Sequence, residues 1–331
     1  MGVADSHKKT RIAGILGLGS IGIRHVQALK SLGIEKVITF RSGKGQKKLP
    51  SELESIIEIV SHFKDLEMAD FFILSNPTSL HFGSLMELCR FEKPLFIEKP
   101  LCSNFKEAEK IFDVLKNYSA RIQIGFCLRF NSLFKVVKSI LAAGQLGEVN
   151  LAKLESGQYL PLWHPYTDYR GEYFSRKELG GGALRTLSHE IDLSLFFFGF
   201  PRGVRAFVDK VSNLEIDVDD YACILLDYPK ASVRIEIDFL QKKSKRCGLI
   251  CGTEADLEYD LVQNKVWVYD KTGNMLQEIH PNRNDMYFDQ MHDFLNNVGD
   301  ETYSTLKESV ALMKIIAVSE QYSENTKFIE L

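Results

Sequence analysis

Between residues 11 and 125 short apolar runs alternate with helix-like stretches, the pattern of a parallel sheet covered by helices. Strands are predicted at Ile12–Leu16, Lys36–Phe40, 56–60, Phe71–Leu74, Leu95–Ile97 and Ile122–Ile124. Helices are predicted over 21–32, 80–90 and 105–116, the last two preceded by Ser79 and Asn104 as N-caps. The first part of the chain therefore reads as a doubly wound nucleotide-binding domain, residues 1–124.

After Gly147 the pattern changes. A loop rich in aromatic residues runs over 158–182, a helix follows as far as Phe198, and a series of strands comes next. Residues 233–239 alternate apolar and charged side chains without a fault, as an antiparallel strand with one wet face should. Helical periodicity returns at 286–297 and 306–319. Residues 125–331 are thus expected to form an α/β domain with a mostly antiparallel open sheet.

At 331 residues the chain exceeds what one core usually supports, in keeping with two domains. The formal charge of -3, with basic residues scattered except for Lys44, Lys47 and Lys48, leaves no footprint for nucleic acid. Apolar runs such as Phe71–Leu74 and 193–200 fall far short of the roughly 20 residues that cross a bilayer. The first ten residues lack an apolar signal core, while Met1 to Ser6 fit the short N-myristoylation pattern. The six cysteines (89, 102, 127, 223, 247 and 251) form no C-x-x-C pair, which argues against zinc and redox motifs and for a reducing, cytoplasmic setting. Cys247 and Cys251 share one face of a strand and are expected to be core-facing thiols.

Gly17-Leu18-Gly19-Ser20-Ile21-Gly22 is a complete G-x-G-x-x-G between an apolar strand and an amphipathic helix. Gly17 permits the tight turn, Gly19 lets the backbone approach a pyrophosphate and Gly22 lets the helix pack closely, so a dinucleotide is the expected cofactor. At the end of the second strand, where an acidic residue would hold the ribose of NAD, the sequence reads Phe40-Arg41-Ser42-Gly43-Lys44. These groups suit a 2'-phosphate and favour NADP over NAD; in the alternative, Arg41 stacks on the adenine and backbone groups hold the ribose.

Ile97-Glu98-Lys99-Pro100 follows the fifth strand, at the carboxyl edge of the sheet where doubly wound folds place ligands. A lysine desolvated there has a lowered pKa and can pass a proton to or from a substrate oxygen. With this motif in view the sequence resembles the Gfo/Idh/MocA superfamily, over nearly its whole length. The resemblance rests on GLGSIG at 17–22, SNPTSLH at 75–81, FIEKPL at 96–101, IGFCLRFN at 124–131, AAGQLGEV at 142–149 and GGGALRTLSHEID at 180–192.

That resemblance implies a Rossmann domain, a substrate-binding and oligomerisation domain over 125–331 whose open sheet often makes a dimer or tetramer, and reversible hydride transfer between a nicotinamide and a carbinol carbon of a sugar or cyclitol. It assigns catalysis to Lys99 and His189. On the cofactor side it places Ser20, Ile21, Asn76, Pro77, His81, Glu98 and Lys99 beside the three glycines, Arg41 and Ser42. The family's aspartate ahead of the histidine is absent, its place being held by Arg185 and Thr186. Thr186 can still bond a substrate but cannot supply negative charge to an imidazolium.

His189-Glu190-Ile191-Asp192 is not a zinc motif, since H-E-x-x-H needs a second histidine where Leu193 stands. The aromatic loop offers Trp163 and Tyr169 to the carbon face of a sugar, and Arg170, Arg185 and Arg129 to a carboxylate or phosphate. The stretch DYRGEYFSRKELGGGALRTLSHEID at 168–192 resembles a subgroup of the family linked to bacterial surface-sugar synthesis, which implies an acidic or nucleotide-linked sugar as substrate. The competing reading is a binding protein of the same fold that holds the dinucleotide without consuming it.

Overall fold

The computed structural model describes residues 11–40, 49–270, 272–278, 285–296 and 304–325. In the first half, strands β1 (Ile12–Leu16), β2 (Lys36–Phe40), β3 (Ile57–Val60), β4 (Phe71–Leu74), β5 (Leu95–Ile97) and β6 (Ile122–Ile124) alternate with helices α1 (Ser20–Ser31), α2 (Ser51–Glu54), α3 (His81–Leu88) and α4 (Phe105–Leu115). All neighbouring strands are parallel, in the order β3-β2-β1-β4-β5-β6. The order reverses beside β1, so a crevice opens at the carboxyl ends of β1 and β4. Buried runs such as Phe71–Leu74, covered on both faces, explain why these strands read as continuous apolar stretches.

Asn104 caps α4 as expected, its Oδ1 accepting from the Glu107 backbone N–H at 3.0 Å. Ser79 does not cap α3. It lies inside a 3₁₀ turn, Thr78–Leu80, and the helix starts at His81 behind Leu80 with no side-chain cap.

The second half begins with α5 (Ser132–Ala142) and β7 (Val149–Gly157), then crosses the aromatic loop. That loop is built from short turns: α6 (Leu160–Trp163), three 3₁₀ turns between Tyr169 and Leu179, and α7 (Ala183–Thr186). Helix α8 (His189–Phe198) is followed by β8 (Gly203–Asp209), β9 (Tyr221–Asp227), β10 (Ser232–Asp238), β11 (Lys245–Gly252), β12 (Ala255–Asp260), β13 (Lys265–Asp270) and β14 (Gly273–Glu278). They form one sheet in the order β14-β13-β12-β11-β7-β10-β9-β8. Only the β7–β10 pair is parallel; the others are antiparallel. Its inner face, with Ala152, Leu154, Ile235, Ile237 and Ile250 fully buried, packs under α8.

Cys247 and Cys251 do share a face, but it is the other one. They are half-buried and alternate with the inward Gly248 and Ile250. All six cysteines are free thiols.

The chain then returns to the first half through α9 (Asp285–Asn296) and joins both halves with α10 (Leu306–Asn325). Met291 and Phe294 of α9 complete the apolar cluster on one face of the parallel sheet, together with Ile15, Val26, Leu29, Phe71 and Phe96. Phe294 meets Phe71 and Phe96 edge-on, with ring centroids 5.7 and 5.6 Å apart. Arg121 at the edge of β6 pairs with Asp293 at 2.9 Å. A division after residue 124 therefore cuts the sequence where the strands change character, yet the first sheet is finished by a helix from far downstream.

Candidate active site

The glycine loop sits in the crevice. Gly17 has φ +99°, and a Cβ there would lie 2.3 Å from the Asn76 backbone nitrogen. A Cβ on Gly22 would lie 2.0 Å from the Gly17 carbonyl oxygen, so α1 and the turn touch as the motif requires. Around Gly19 there is open space: a Cβ would meet nothing within 4 Å. Gly19 is the N-cap of α1, with no side chain closing that end and no acidic residue in the first turn. The first N–H groups of the helix, from Ser20, Ile21 and Gly22, thus face an open crevice, which fits a pyrophosphate.

Ser75 at the end of β4 secures this loop by donating its hydroxyl to the Gly17 carbonyl at 2.8 Å. Sequence reasoning passed over Ser75, although it heads the 75–81 motif. In that motif Asn76 donates to Ser84 Oγ at 2.8 Å, while its buried Oδ1 has no partner. His81 is buried, with one ring nitrogen 2.9 Å from the Asn76 carbonyl and the other 3.3 Å from that of Leu101. Burial lowers its pKa. This places His81 as a brace between the two loops, with Pro77 opening the turn between them. Arg41, Ser42 and Lys44 lie outside the described residues.

Lys99 stands where β5 ends, behind a cis Lys99–Pro100 peptide. Glu98 beside it is buried and holds His25 of α1 at 2.6 Å through Oε1, while Oε2 accepts from the Lys99 backbone N–H at 3.0 Å. The carboxylate is thereby turned to α1 and the lysine amine is free to face the second domain. Lys99 Nζ reaches the Thr186 carbonyl at 3.3 Å. Thr186 ends α7 three residues before His189, so the two halves of the chain meet here.

The electrostatics of the pair follow from desolvation. Burial lowers the Lys99 pKa, and the nearby Arg246 guanidinium lowers it further against the opposing pull of Cys127, Glu98 and Glu190. Burial takes the His189 pKa well below 6.5, and the charges of Lys99 and Arg246 act in the same direction. His189 also packs edge-on to Phe126, with centroids 6.0 Å apart. Its Nδ1 is buried without a hydrogen-bond partner, as are Thr186 Oγ1, Ser188 Oγ and Glu190 Oε1. Unpartnered buried polar atoms are rare in folded proteins, so four in one short segment point to a ligand. Two nitrogen bases whose burial favours their neutral forms, beside a nucleotide crevice, can exchange a proton with a hydroxyl group.

Three arginines assigned to the substrate are instead committed to the protein. Arg129, 1% exposed, donates to both carboxylate oxygens of Asp192 and to Glu308, linking the turn after β6 to α8 and α10. A cation buried this deeply is stable only when paired. Arg185 is held by Glu320 and by the Ser103 carbonyl at 2.6 Å. Arg170 lies on the surface between Asp168 and Glu215. Trp163 stacks on both His164 and Phe174, which also stack on each other, and the Tyr169 hydroxyl accepts from the Glu215 backbone N–H, so both rings consolidate the aromatic loop.

A parallel sheet with an uncapped glycine-rich crevice, closed by an open-sheet domain that brings its own histidine, defines a two-domain dinucleotide-binding protein. Residues 11–126 match the oxidoreductase family model described as an NAD-binding Rossmann fold, and residues 134–258 match the GFO/IDH/MocA C-terminal domain. The chain belongs to the Gfo/Idh/MocA oxidoreductase family, and its first half is that family's NAD-binding domain.

It is 26% identical over 196 residues to the uncharacterized oxidoreductase YrbE of Bacillus subtilis, covering 58% of this chain and 54% of that protein. It is 25% identical over 223 residues to the NADP(+)-dependent scyllo-inositol 2-dehydrogenase IolW of the same organism, covering 66% of this chain and 60% of that protein. The matched stretches thus span little more than half of these relatives. In fold, an NAD-binding oxidoreductase from Klebsiella pneumoniae superposes with a TM-score of 0.84 at 17% identity, over 95% of this chain and 97% of that one. Levoglucosan dehydrogenase in complex with NADH superposes at 0.83 with 16% identity, over the same shares.

Among the described residues no helix is long and apolar enough to cross a membrane, and no cluster of three metal-binding side chains occurs.

Proposed function

We propose that the protein is an NAD(P)-dependent dehydrogenase or reductase that moves a hydride between the nicotinamide and a hydroxyl-bearing carbon of a sugar or cyclitol. The observation that carries this reading is the meeting of Lys99 and His189 from different domains beside the Gly19 crevice, both driven toward their neutral forms. The NADP(+)-dependent scyllo-inositol 2-dehydrogenase IolW among the B. subtilis relatives supports the same reading. So does levoglucosan dehydrogenase, whose fold is shared and whose name specifies an anhydrosugar.

In the oxidative direction the Lys99 amine, in its neutral form, takes the hydroxyl proton and His189 orients the oxygen. In the reductive direction the lysine returns that proton to the nascent alkoxide. When bound, the nicotinamide would supply or accept the hydride. Glu98 positions Lys99 through its backbone, and the hydroxyls of Thr186 and Ser188 are free to bond the remaining substrate oxygens.

Arg41, Ser42 and Lys44 favour NADP as the dinucleotide, since they stand where a ribose-binding carboxylate would repel a 2'-phosphate. An acidic or nucleotide-linked sugar is our reading of the substrate, and the outer face of the large sheet is where we place contact with a second copy.

The test is to incubate the purified protein with NADPH or NADH and a panel of keto-sugars and keto-cyclitols and follow loss of the reduced nicotinamide. We expect turnover with at least one panel member and tighter binding of NADPH. Cofactor binding without consumption across the panel would overturn the enzymatic reading in favour of a dinucleotide-dependent binding protein. Equal or tighter binding of NADH would overturn the NADP preference.

A further inference from the structure

On the inner face of the large sheet the positions supplied by β7, β9, β10 and β11 are Ala152, Leu154, Ser156, Ala222, Ile224, Leu226, Val233, Ile235, Ile237, Arg246, Gly248, Ile250 and Gly252, and Arg246 is the only charge among them. A guanidinium on an otherwise apolar face needs a reason. Part of it is Glu190, the residue after His189, which is 1% exposed and places Oε1 2.7 Å from Arg246 Nε. The contact is an ion pair without hydrogen-bond geometry, since neither Glu190 Oε1 nor Arg246 Nε has a hydrogen-bond partner. Nη2 is a marginal 3.5 Å from Glu190 Oε2, and Nη1 has no partner among the described residues.

The side chain of Arg246 is 22% exposed, while its partner and its own Nε are buried. Its charge is felt by Lys99, His189 and Cys127, which line the reaction centre. The negative groups nearby are already engaged: Glu190 by Arg246 itself, and Glu98 by His25 and the Lys99 backbone. Thr186 adds no charge on this side.

We propose that Arg246 is the specificity-determining residue of this site, receiving a carboxylate of the substrate on the free end of its guanidinium while Glu190 fixes its other side. The inference rests on the reading of Lys99 and His189 as the reaction centre, and it narrows the substrate to a sugar or cyclitol acid. A planar carboxylate matches the two N–H groups at one end of a guanidinium. A phosphate dianion would call for a second uncommitted cation on this side, and Arg129, Arg170 and Arg185 are all paired.

The test measures binding directly by calorimetry on the protein saturated with reduced cofactor, using D-glucuronate, D-glucose and D-glucose 6-phosphate as probes. We expect wild type to hold glucuronate more tightly than glucose by about tenfold or more, the scale of one charged hydrogen-bonded contact, and more tightly than the phosphate. Arg246→Met should abolish that preference while leaving glucose binding within about twofold. Because this change strands the Glu190 carboxylate, the double variant E190Q/R246M removes both charges together. Arg246→Lys, which keeps the charge and loses the fork, should show a partial preference.

A wild type with no preference for glucuronate, one that prefers the phosphate, or a preference that survives in E190Q/R246M would each overturn the inference. Turnover is read separately: glucuronate binding that depends on Arg246 without hydride transfer to any panel member would sustain the inference and sink the enzymatic reading.

Discussion

At the scale of single residues, Lys99 is costly to the fold and valuable to the chemistry. Its pKa in the folded protein is lowered from the ordinary 10.5, so below that pH the unfolded chain binds the proton more readily and stability falls as the solution is acidified, until the folded amine is itself protonated. Lys99→Met removes this penalty. We expect it to raise the melting temperature near neutral pH by about 2–4 °C, as scanning calorimetry would record, while turnover falls by about a hundredfold or more. A variant that loses stability together with activity would show the lysine to be structural. In the oxidative direction wild-type turnover should rise with pH through the lowered lysine pKa, and a flat pH–rate profile would remove Lys99 from the proton path. His189 follows the same sign: its neutral ring resists a proton that the unfolded chain takes up near pH 6.5, so His189→Gln should flatten the acid limb of the stability curve. Two glycines of one motif should fail in different ways. Gly17→Ala forces a side chain into φ +99° and against backbone, and is expected to destabilise the domain by upward of about 2 kcal/mol in urea titration. Gly19→Ala meets no protein atom at φ −73°, so the melting temperature should hold while dinucleotide affinity falls.

At the scale of elements, the buried charges of Arg129 act as a rivet through three segments. Arg129→Met leaves Asp192 and Glu308 without their cation and is expected to cost about 3–5 kcal/mol, measured by urea unfolding. A loss below about 1 kcal/mol would mean the three elements hold without it. Most elements were legible in the sequence because their patterns are local: buried parallel strands as unbroken apolar runs, α4 through its Asn104 cap, residues 233–239 through strict alternation. What stayed hidden depends on partners far along the chain. Arg129 and Arg185 looked like anion binders because nothing nearby in sequence announces Asp192, Glu308 or Glu320. In β11 the phase of the alternation is ambiguous, since Cys247, Leu249 and Cys251 are as apolar as Gly248 and Ile250. Taking the cysteines as the inner set turned Arg246 outward, and with it went the one clue that a charge lay on the face toward His189. The Lys99 and His189 motifs stand out in the sequence, whereas the pairing of Arg246 with Glu190 beside them does not.

At the scale of the whole molecule, the first sheet depends on a helix from the far side of the second. Phe294→Ala empties a well-packed position between Phe71 and Phe96 and should cost about 3 kcal/mol or more, visible in thermal unfolding and in weakened dinucleotide binding. Unchanged cofactor affinity would show that α9 covers the sheet without supporting the crevice. This arrangement also sets an order in time. A growing chain that has just released β6 holds every strand of the nucleotide domain and the whole glycine loop, yet one face of that sheet waits for Met291 and Phe294. At ordinary rates of synthesis the wait is roughly 10–30 s. For that interval Phe71 and Phe96 are partly bare, at the stage when an exposed apolar surface is most open to chaperones and to neighbouring chains. The dinucleotide crevice thus acquires its final support only after the domain that brings the substrate-side histidine has been made, so a chain broken off before α9 carries the recognisable motif without a finished site.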